Sequence, residues 1–255
     1  MKTIGIVAHS AEGAGLCFLT ACRAGGERLG EHLHPPIAMS AISMGLSMPG
    51  WWAGDLEQVK PHLLRGIEMV ARSGADFFVC PDNTAHLALE RMPLPLPLPG
   101  LHIARVVGAE IVHRGFSRVG LLGTRWTMSG SVYPDALRRH GVDLLVPDAQ
   151  EQEAVNGLIF RELCNGRFEP ATTARFLRAI EQLKERGAQA VILGCTEIPI
   201  IVDDRNAALP TLDSTRLLAR YAVELALQGG PLAAQQDGWL APPVLTPAAG
   251  LPPAT

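Results

Sequence analysis

Hydrophobic and polar residues follow the same order in two stretches of the chain, which align without a gap. Residues 64–84 lie over residues 177–197, and each stretch begins with apolar residues at three- and four-residue spacing. This spacing predicts a helix with one buried face. Gly74 and Gly187 stand at equivalent positions after the helical pattern, where glycine readily adopts the positive φ of a helix end. Each stretch therefore begins with a helix and a tight turn.

Each turn leads into a short apolar run, Phe77–Val79 in the first stretch and residues 191–193 in the second. Continuous runs of this length predict parallel strands that are covered on both faces. Small polar residues follow, and we name them the first polar loop (Asp82-Asn83-Thr84) and the second polar loop (Cys195-Thr196-Glu197). Ligands of open α/β sheets bind beyond the carboxyl ends of the strands. If the two stretches face each other, Asp82 and Cys195 are opposed across one cleft.

Strands and helices alternate along the rest of the chain, which predicts an α/β protein. Strands are predicted at 4–7, 35–42, 119–122 and 143–147, and helices at 103–113, 154–163, 170–186 and 211–229. The alternating prolines of residues 92–100 favour extended backbone and indicate a domain boundary. We predict two pseudo-symmetric α/β domains with parallel-type sheets, residues 1–100 completed by the 211–229 helix and residues 101–210, with the active site in the cleft between them. Proline, alanine and glutamine dominate residues 230–255, which predicts a disordered tail.

Composition narrows the classes of function. Apolar residues make up 47% of the 255 residues and charged residues 18%, which suffices for buried cores. A net charge of −3 lacks the basic surface that nucleic acid or an anionic membrane attracts, so we expect a small-molecule partner. Five cysteines without a Cys-x-x-Cys pair offer no zinc or disulfide framework. Without a signal-like start or a membrane-length apolar run, we expect a cytoplasmic protein with reduced thiols.

Three further segments carry candidate functions. The first strand leads through His9 and Ser10 into a helical pattern, and N–H groups at a helix start favour a carboxylate. We expect Ser10 near a substrate carboxylate; His9 is equally consistent with a loop histidine bonded to backbone. Methionine and tryptophan in residues 43–52 predict a loop that caps an apolar pocket or, equally well, forms a subunit interface. Thr124 and Thr127 are candidate carboxylate ligands, the alternative for Thr127 being helix capping.

The second polar loop carries a candidate nucleophile or base. The thiol of Cys195 lies beside Thr196 and Glu197, and a thiol acts as a general base once it is a thiolate. We expect donors in the loop and a following helix N-terminus to lower its pKa. A buried structural cysteine is the alternative, and the matching first polar loop argues against it.

These residues carry a resemblance to a known family. Three segments, 83–86 (Asn-Thr-Ala-His), 122–124 (Leu-Gly-Thr) and 194–199 (Gly-Cys-Thr-Glu-Ile-Pro), together resemble the cofactor-independent aspartate/glutamate racemases. In that family each of two α/β domains supplies a cysteine, and the two thiols act on opposite faces of the substrate Cα. One thiolate removes the α-proton, and the other thiol delivers a proton from the far side.

The resemblance implies roles for individual residues. Cys195 would be one acid/base, and Glu197 would orient or polarise its thiol. The α-carboxylate of the substrate would be held by Asn83, Thr84 and Thr196. No pyridoxal phosphate, other cofactor or metal is implied, and a homodimer is the expected assembly.

The first polar loop departs from the family pattern. Family members place a cysteine before Asn-Thr, where this chain has Asp82, and Cys80 lies two residues earlier. Three interpretations follow: Asp82 is the second acid/base with a pKa raised by burial, Cys80 reaches the substrate, or only Cys195 moves protons. The last would suit a lyase such as the related arylmalonate decarboxylases. If Asp82 has disabled the site, the chain is a non-catalytic binding protein.

The substrate is not determined by these residues. Racemases of acidic amino acids tend to carry a basic residue near the second strand, whereas residues 37–42 are apolar here. Cys164 stands where relatives have a lysine. Aspartate or glutamate is therefore the family default, and a more apolar amino acid or a hydantoin is also consistent.

Overall fold

The computed structural model describes residues 1–245, along which strands and helices alternate. The strands are β1 (Ile4–Ala8), β2 (Ile37–Ala41), β3 (Phe77–Val79), β4 (Gly100–Leu101), β5 (Arg118–Gly123), β6 (Asp143–Leu145), β7 (Ala190–Gly194), β8 (Thr211–Asp213) and β9 (Trp239–Leu240). The helices are α1 (Ala11–Leu29), α2 (Met48–Ala53), α3 (Leu56–Arg72), α4 (His86–Leu89), α5 (Ile103–His113), α6 (Arg125–Ser129), α7 (Val132–Arg138), α8 (Ala149–Arg161), α9 (Pro170–Glu185) and α10 (Ser214–Leu227). The predicted α/β class with parallel sheets is confirmed.

The described chain separates into two compact units. Unit 1 comprises residues 1–81, 92–102 and the part from 215 onward, and unit 2 comprises residues 82–91 and 103–214. The first polar loop follows a strand of unit 1, yet it belongs to unit 2. The boundary predicted from the alternating prolines lies instead at residue 100. Across the described residues, no helix is both long and apolar enough to cross a membrane.

Unit 1 contains a parallel five-stranded sheet with the order β2-β1-β3-β4-β9. All residues of β1 and β3 are buried, as expected of central parallel strands. Helix α3 packs directly on β1, because a Cβ at Gly5 would lie 2.9 Å from the Val70 side chain. The helix of the first repeated stretch thus packs on the sheet that contains its own strand, β3, whose apolar residues are buried.

Unit 2 contains a parallel four-stranded sheet with the order β6-β5-β7-β8. Strands β5 and β7 pair from Val119 and Ala190 to Gly123 and Gly194. The two backbones approach closely at the last pair, where a Cβ on Gly123 would lie 2.7 Å from the carbonyl oxygen of Gly194. Because the strands end in register, the residues that follow them, Thr124 and Cys195, start two neighbouring loops.

Two predicted elements are wrong in part. The 211–229 helix begins only at Ser214, since residues 211–213 form β8, which pairs with β7. The predicted disordered tail contains β9, which pairs with β4. Trp239 anchors it: the side chain is 2% exposed, and its ring centroid lies 5.6 Å from that of Phe78. Residues 246–255 of the predicted tail lie outside the described residues.

The segment 43–52 is mostly helical rather than a loop. Residues 44–46 form a 3-10 turn, and α2 begins at Met48. Trp51 is 3% exposed and belongs to the core of unit 1, whereas Trp52 is 68% exposed. The two tryptophans therefore differ in role, and whether Trp52 lies at a subunit interface stays a prediction.

Candidate active site

The second polar loop brings a thiol and a carboxyl group together. Cys195 directly follows β7, and its Sγ–H donates to Glu197 Oε2 over 2.9 Å. The hydroxyl of Thr196 donates to the same oxygen, also over 2.9 Å. The exposed fractions of Cys195 and Glu197 are only 7% and 2%. One carboxylate oxygen thus accepts two hydrogen bonds in a site that is largely dry.

Burial is the largest influence on the pKa values of Cys195 and Glu197, and it raises both. It raises the pKa of the Cys195 thiol well above its ordinary value, and the neighbouring Glu197 and Cys164 raise it further. Burial also raises the pKa of Glu197, against the two hydrogen bonds that the carboxylate accepts, and the charge of Asp82 adds to the rise. The prediction of a lowered thiol pKa is therefore wrong. A 3-10 turn rather than a long helix follows the loop, and the neighbouring charges named here are negative.

Three threonine hydroxyls meet close to one another in unit 2. Thr84 Oγ1 lies 2.8 Å from Thr124 Oγ1 and 3.0 Å from Thr127 Oγ1, and the latter two are 3.1 Å apart. All three residues are at most 9% exposed. Thr124, not Thr127, caps α6, because its Oγ1 accepts the N–H of Thr127. The first polar loop and the β5–α6 loop thereby converge on one group of small donors, which we name the threonine cluster.

Asp82 is half-buried and holds the turn that leads into α4. Its Oδ1 accepts the N–H of Ala85 over 3.0 Å. Its backbone oxygen accepts a hydrogen bond from Nδ1 of His86, and Nε2 of the same ring accepts the N–H of Ile103. With Nε2 accepting, the hydrogen that bonds the Asp82 oxygen is carried on Nδ1. Cys80, the other candidate partner of Cys195, is fully buried in unit 1.

Asn83 is held by residues that sequence reasoning did not identify. Its Oδ1 accepts the hydroxyl of Tyr133 over 2.6 Å, and its Nδ2 donates to Ser214 Oγ over 2.9 Å. Ser214 in turn donates to the carbonyl oxygen of Leu193 over 2.8 Å. Tyr133 resembles an ordinary core residue in the sequence. No local pattern links these four residues, because their contacts span up to 131 positions.

Ser10 lies in unit 1 and caps α1, where its Oγ accepts the N–H of Gly13 over 3.2 Å. His9 bonds a side chain rather than only backbone: its Nε2 lies 2.8 Å from Ser47 Oγ. Since the Ser47 hydroxyl donates to the oxygen of Met44, His9 is the donor in this contact. Among the described residues no three His, Cys, Asp or Glu side chains are arranged to hold a metal ion.

Comparison with known proteins places this chain in a family. The profile of the Asp/Glu/Hydantoin racemase family matches residues 32–222. A putative Asp/Glu racemase from Yersinia pestis has a similar crystal structure, with a TM-score of 0.80 and 30% identity over 89% of this chain and 100% of that one. An aspartate racemase homologue from Pyrococcus horikoshii gives a TM-score of 0.74 and 27% identity, over 89% and 100%.

A similar sequence is the broad specificity amino-acid racemase RacX of Bacillus subtilis. It is 29% identical over 173 residues, which are 68% of this chain and 74% of that protein. The family profile covers well over half of the chain, including both polar loops and the threonine cluster. This chain belongs to the Asp/Glu/hydantoin racemase family.

Proposed function

We propose that this protein is a cofactor-independent amino-acid racemase that inverts Cα by proton transfer, with Cys195 as one acid/base. The observation that carries the proposal is the hydrogen bond from the buried Cys195 thiol to Glu197. A base that removes an α-proton must be basic, and a thiol whose pKa is raised gives a more basic thiolate. Forming that thiolate requires an acceptor for its proton, which Glu197 provides.

The pair can form a thiolate without changing its charge. The Sγ–H bond breaks and the proton moves to Glu197 Oε2, so that the negative charge passes from carboxylate to sulfur. The thiolate then takes the substrate α-proton, and the electron pair of the broken C–H bond stays on the substrate. A proton delivered to the opposite face completes inversion. In the reverse direction the two faces exchange roles.

Asp82 is our candidate for the opposite face. The internal repeat aligns it with Cys195, and the two residues belong to the same unit. Its charge is close enough to Glu197 to raise the pKa of that group. Cys80 remains the second candidate; its full burial in unit 1 makes it less favoured.

The threonine cluster is the proposed site for the α-carboxylate. Hydroxyl groups that bond one another can turn toward an anion, each offering one hydrogen. Thr84, Thr124 and Thr127 would donate in this way. Thr196 and Ser10 stay candidates for the same role from the sequence. Asn83 contributes mainly by position, since its side-chain oxygen and one amide hydrogen are bonded within the protein.

The proposed substrate class is a free amino acid, and the proposed assembly is a cytoplasmic homodimer, as the family resemblance implies. The name of the Bacillus subtilis relative, a broad specificity amino-acid racemase, supports testing apolar amino acids together with aspartate and glutamate. One observation favours a second function, a lyase: an aspartate stands where the family pattern has its first cysteine.

Proton NMR in D2O with L- and D-amino acids, followed by chiral chromatography, tests the proposal. We expect loss of the α-proton signal and appearance of the other enantiomer. Cys195→Ser should abolish inversion, and also exchange of the enantiomer whose α-proton faces Cys195, while the fold is kept, because a hydroxyl is far less acidic than a thiol. Cys22→Ser, a half-buried cysteine of α1, is the matched control. Full activity of Cys195→Ser would refute the proposed role.

Variants of Asp82 test which residue is the acid/base on the face of the substrate opposite Cys195. Asp82→Cys should keep inversion, whereas Asp82→Asn should exchange the α-proton without inverting the substrate. Indifference to both changes would transfer the role to Cys80. Release of carbon dioxide without inversion would indicate the lyase, and binding without exchange would indicate a non-catalytic protein.

A further inference from the structure

The side chains of Tyr133, Asn83 and Ser214 form a buried group, which we name the relay, in which each side chain is within hydrogen-bond reach of the other two. The hydroxyl of Ser214 sets the direction of these bonds. Ser214 has a single hydroxyl hydrogen and donates it to the carbonyl oxygen of Leu193. The Ser214 oxygen must therefore accept from Asn83, so the amide group of Asn83 turns its NH2 toward Ser214. Its carbonyl oxygen then faces Tyr133, which has to donate. No member can reverse without breaking the next bond.

The relay joins two parts of unit 2 that carry the proposed chemistry. Asn83 lies between Asp82, the candidate acid/base, and Thr84 of the threonine cluster. Leu193 lies two residues before Cys195, in the central strand β7. Ser214 and Tyr133 are 0% exposed and Asn83 is 2% exposed, so water does not compete for these bonds. Burial raises the pKa of Tyr133, which keeps its hydroxyl protonated and able to donate.

We propose that Tyr133 is a positioning residue for racemisation: acting through Asn83 and Ser214, it holds the first polar loop at a set distance from the strand that bears Cys195. The inference rests on the proposed function. Cys195 follows the end of strand β7, whereas Asp82 lies in a short loop. Their distance has to be fixed, since catalysis is sensitive to displacements of about 1 Å. Tyr133 itself touches neither reacting proton.

Tyr133→Phe removes only the donor hydroxyl and leaves the Asn83 oxygen buried without it. We expect kcat for inversion to fall by roughly 10- to 100-fold and KM to rise by less, because Asp82 and Thr84 are displaced while Thr124 and Thr127 keep their places. Inversion should fall more than α-proton exchange, since the loop carries Asp82 and not Cys195. Tyr221→Phe, at another buried tyrosine, is the matched control and should keep the wild-type ratio.

Ser214→Ala breaks the other end of the relay. If the relay acts as a unit, the double variant Tyr133→Phe/Ser214→Ala is no slower than the slower single variant. Multiplicative losses would overturn the proposal. So would a Tyr133→Phe variant that melts at a lower temperature yet keeps wild-type kcat, because the role would then be structural only.

Hydrogen exchange measured by mass spectrometry separates this inference from the proposed function. Tyr133→Phe should lose protection in residues 82–91, where Ala85, His86 and Leu87 donate backbone hydrogen bonds within the turn. Tyr221→Phe should not. Lost protection in a protein that racemises no amino acid would refute the proposed function and leave the relay standing. Unchanged protection would refute the relay.

Discussion

The thiol of Cys195 and the carboxyl group of Glu197 behave as one acid with two sites. Burial disfavours charge on either group, and a negative charge on one disfavours ionisation of the other. Near neutral pH the pair therefore keeps at least one proton. The pair can therefore hold a proton on Glu197 while Cys195 is a basic thiolate. A racemase needs a group that can both take and give a proton on each face of its substrate.

Glu197→Gln should lower the pKa of Cys195, because it removes a negative charge that raises this pKa. The rate of alkylation of Cys195 by iodoacetamide, followed by mass spectrometry across pH, reports the thiolate fraction. We expect the profile of the variant to rise at lower pH than that of the wild type. The same variant should racemise poorly, since an amide cannot take the thiol proton.

Glu181→Gln, at an exposed position in α9, is the matched control and should leave the alkylation profile unchanged. A Glu197→Gln profile that shifts to higher pH would contradict the electrostatic account. It would mean that neither the negative charge of Glu197 nor the hydrogen bond that it accepts from the thiol raises the pKa of Cys195.

Strands β5 and β7 position the reactive loops by the closeness of their backbones. Gly194 cannot carry a side chain without crowding, since a Cβ there would lie 2.7 Å from the side chain of Leu121 and 3.0 Å from the oxygen of Leu122. Gly123 faces the Gly194 carbonyl in the same way. The two glycines thus let Thr124 and Cys195 begin their loops side by side.

Gly123→Ala should destabilise the protein by about 1–3 kcal/mol, the usual effect of forcing a methyl group into a packed site. It should also lower kcat. The new methyl group would push the backbone carbonyl of Gly194 away, and this shift would displace the neighbouring Cys195. Urea denaturation and the racemase assay measure the two effects. Gly15→Ala is the control: its Cβ would contact nothing within 4 Å, and alanine stabilises a helix interior by up to about 1 kcal/mol.

Unit 1 depends on a segment that composition alone would assign to a tail. Strand β9 completes the sheet at its β4 edge, and the Trp239 ring lies over Gly100, where a Cβ would be 2.7 Å from it. His102 packs edge-on against the same ring, with centroids 4.6 Å apart. Residues near the end of the chain therefore belong to the core of this unit.

Trp239→Ala should reduce the free energy of unfolding by about 3–5 kcal/mol, as is usual for a buried aromatic side chain. Trp52→Ala should change it by less than about 0.5 kcal/mol, since Trp52 is 68% exposed. Urea denaturation of both variants makes the comparison. Equal stability of the two would show that β9 is dispensable for unit 1.

The sequence by itself predicts most of the secondary structure, because helices and strands follow from short-range periodicity of apolar residues. The repeat predicted β3 and β7, the helices before them and the polar loops after them. The placement of Glu197 beside the thiol of Cys195 came instead from the resemblance to racemases, and its role there stays a prediction. The resemblance to racemases rests on the same consecutive residues, and the family profile bears it out.

The folded chain alone decided the properties that depend on distant residues. The direction of the thiol pKa reversed because burial, together with Glu197 and Cys164, outweighs the loop donors. Asn83 became part of a relay because Tyr133 and Ser214 reach it from far along the chain. The short strands β8 and β9 form because β7 and β4 pair with them. Such pairing depends on the rest of the sheet, and the two or three residues of each strand do not predict it by themselves.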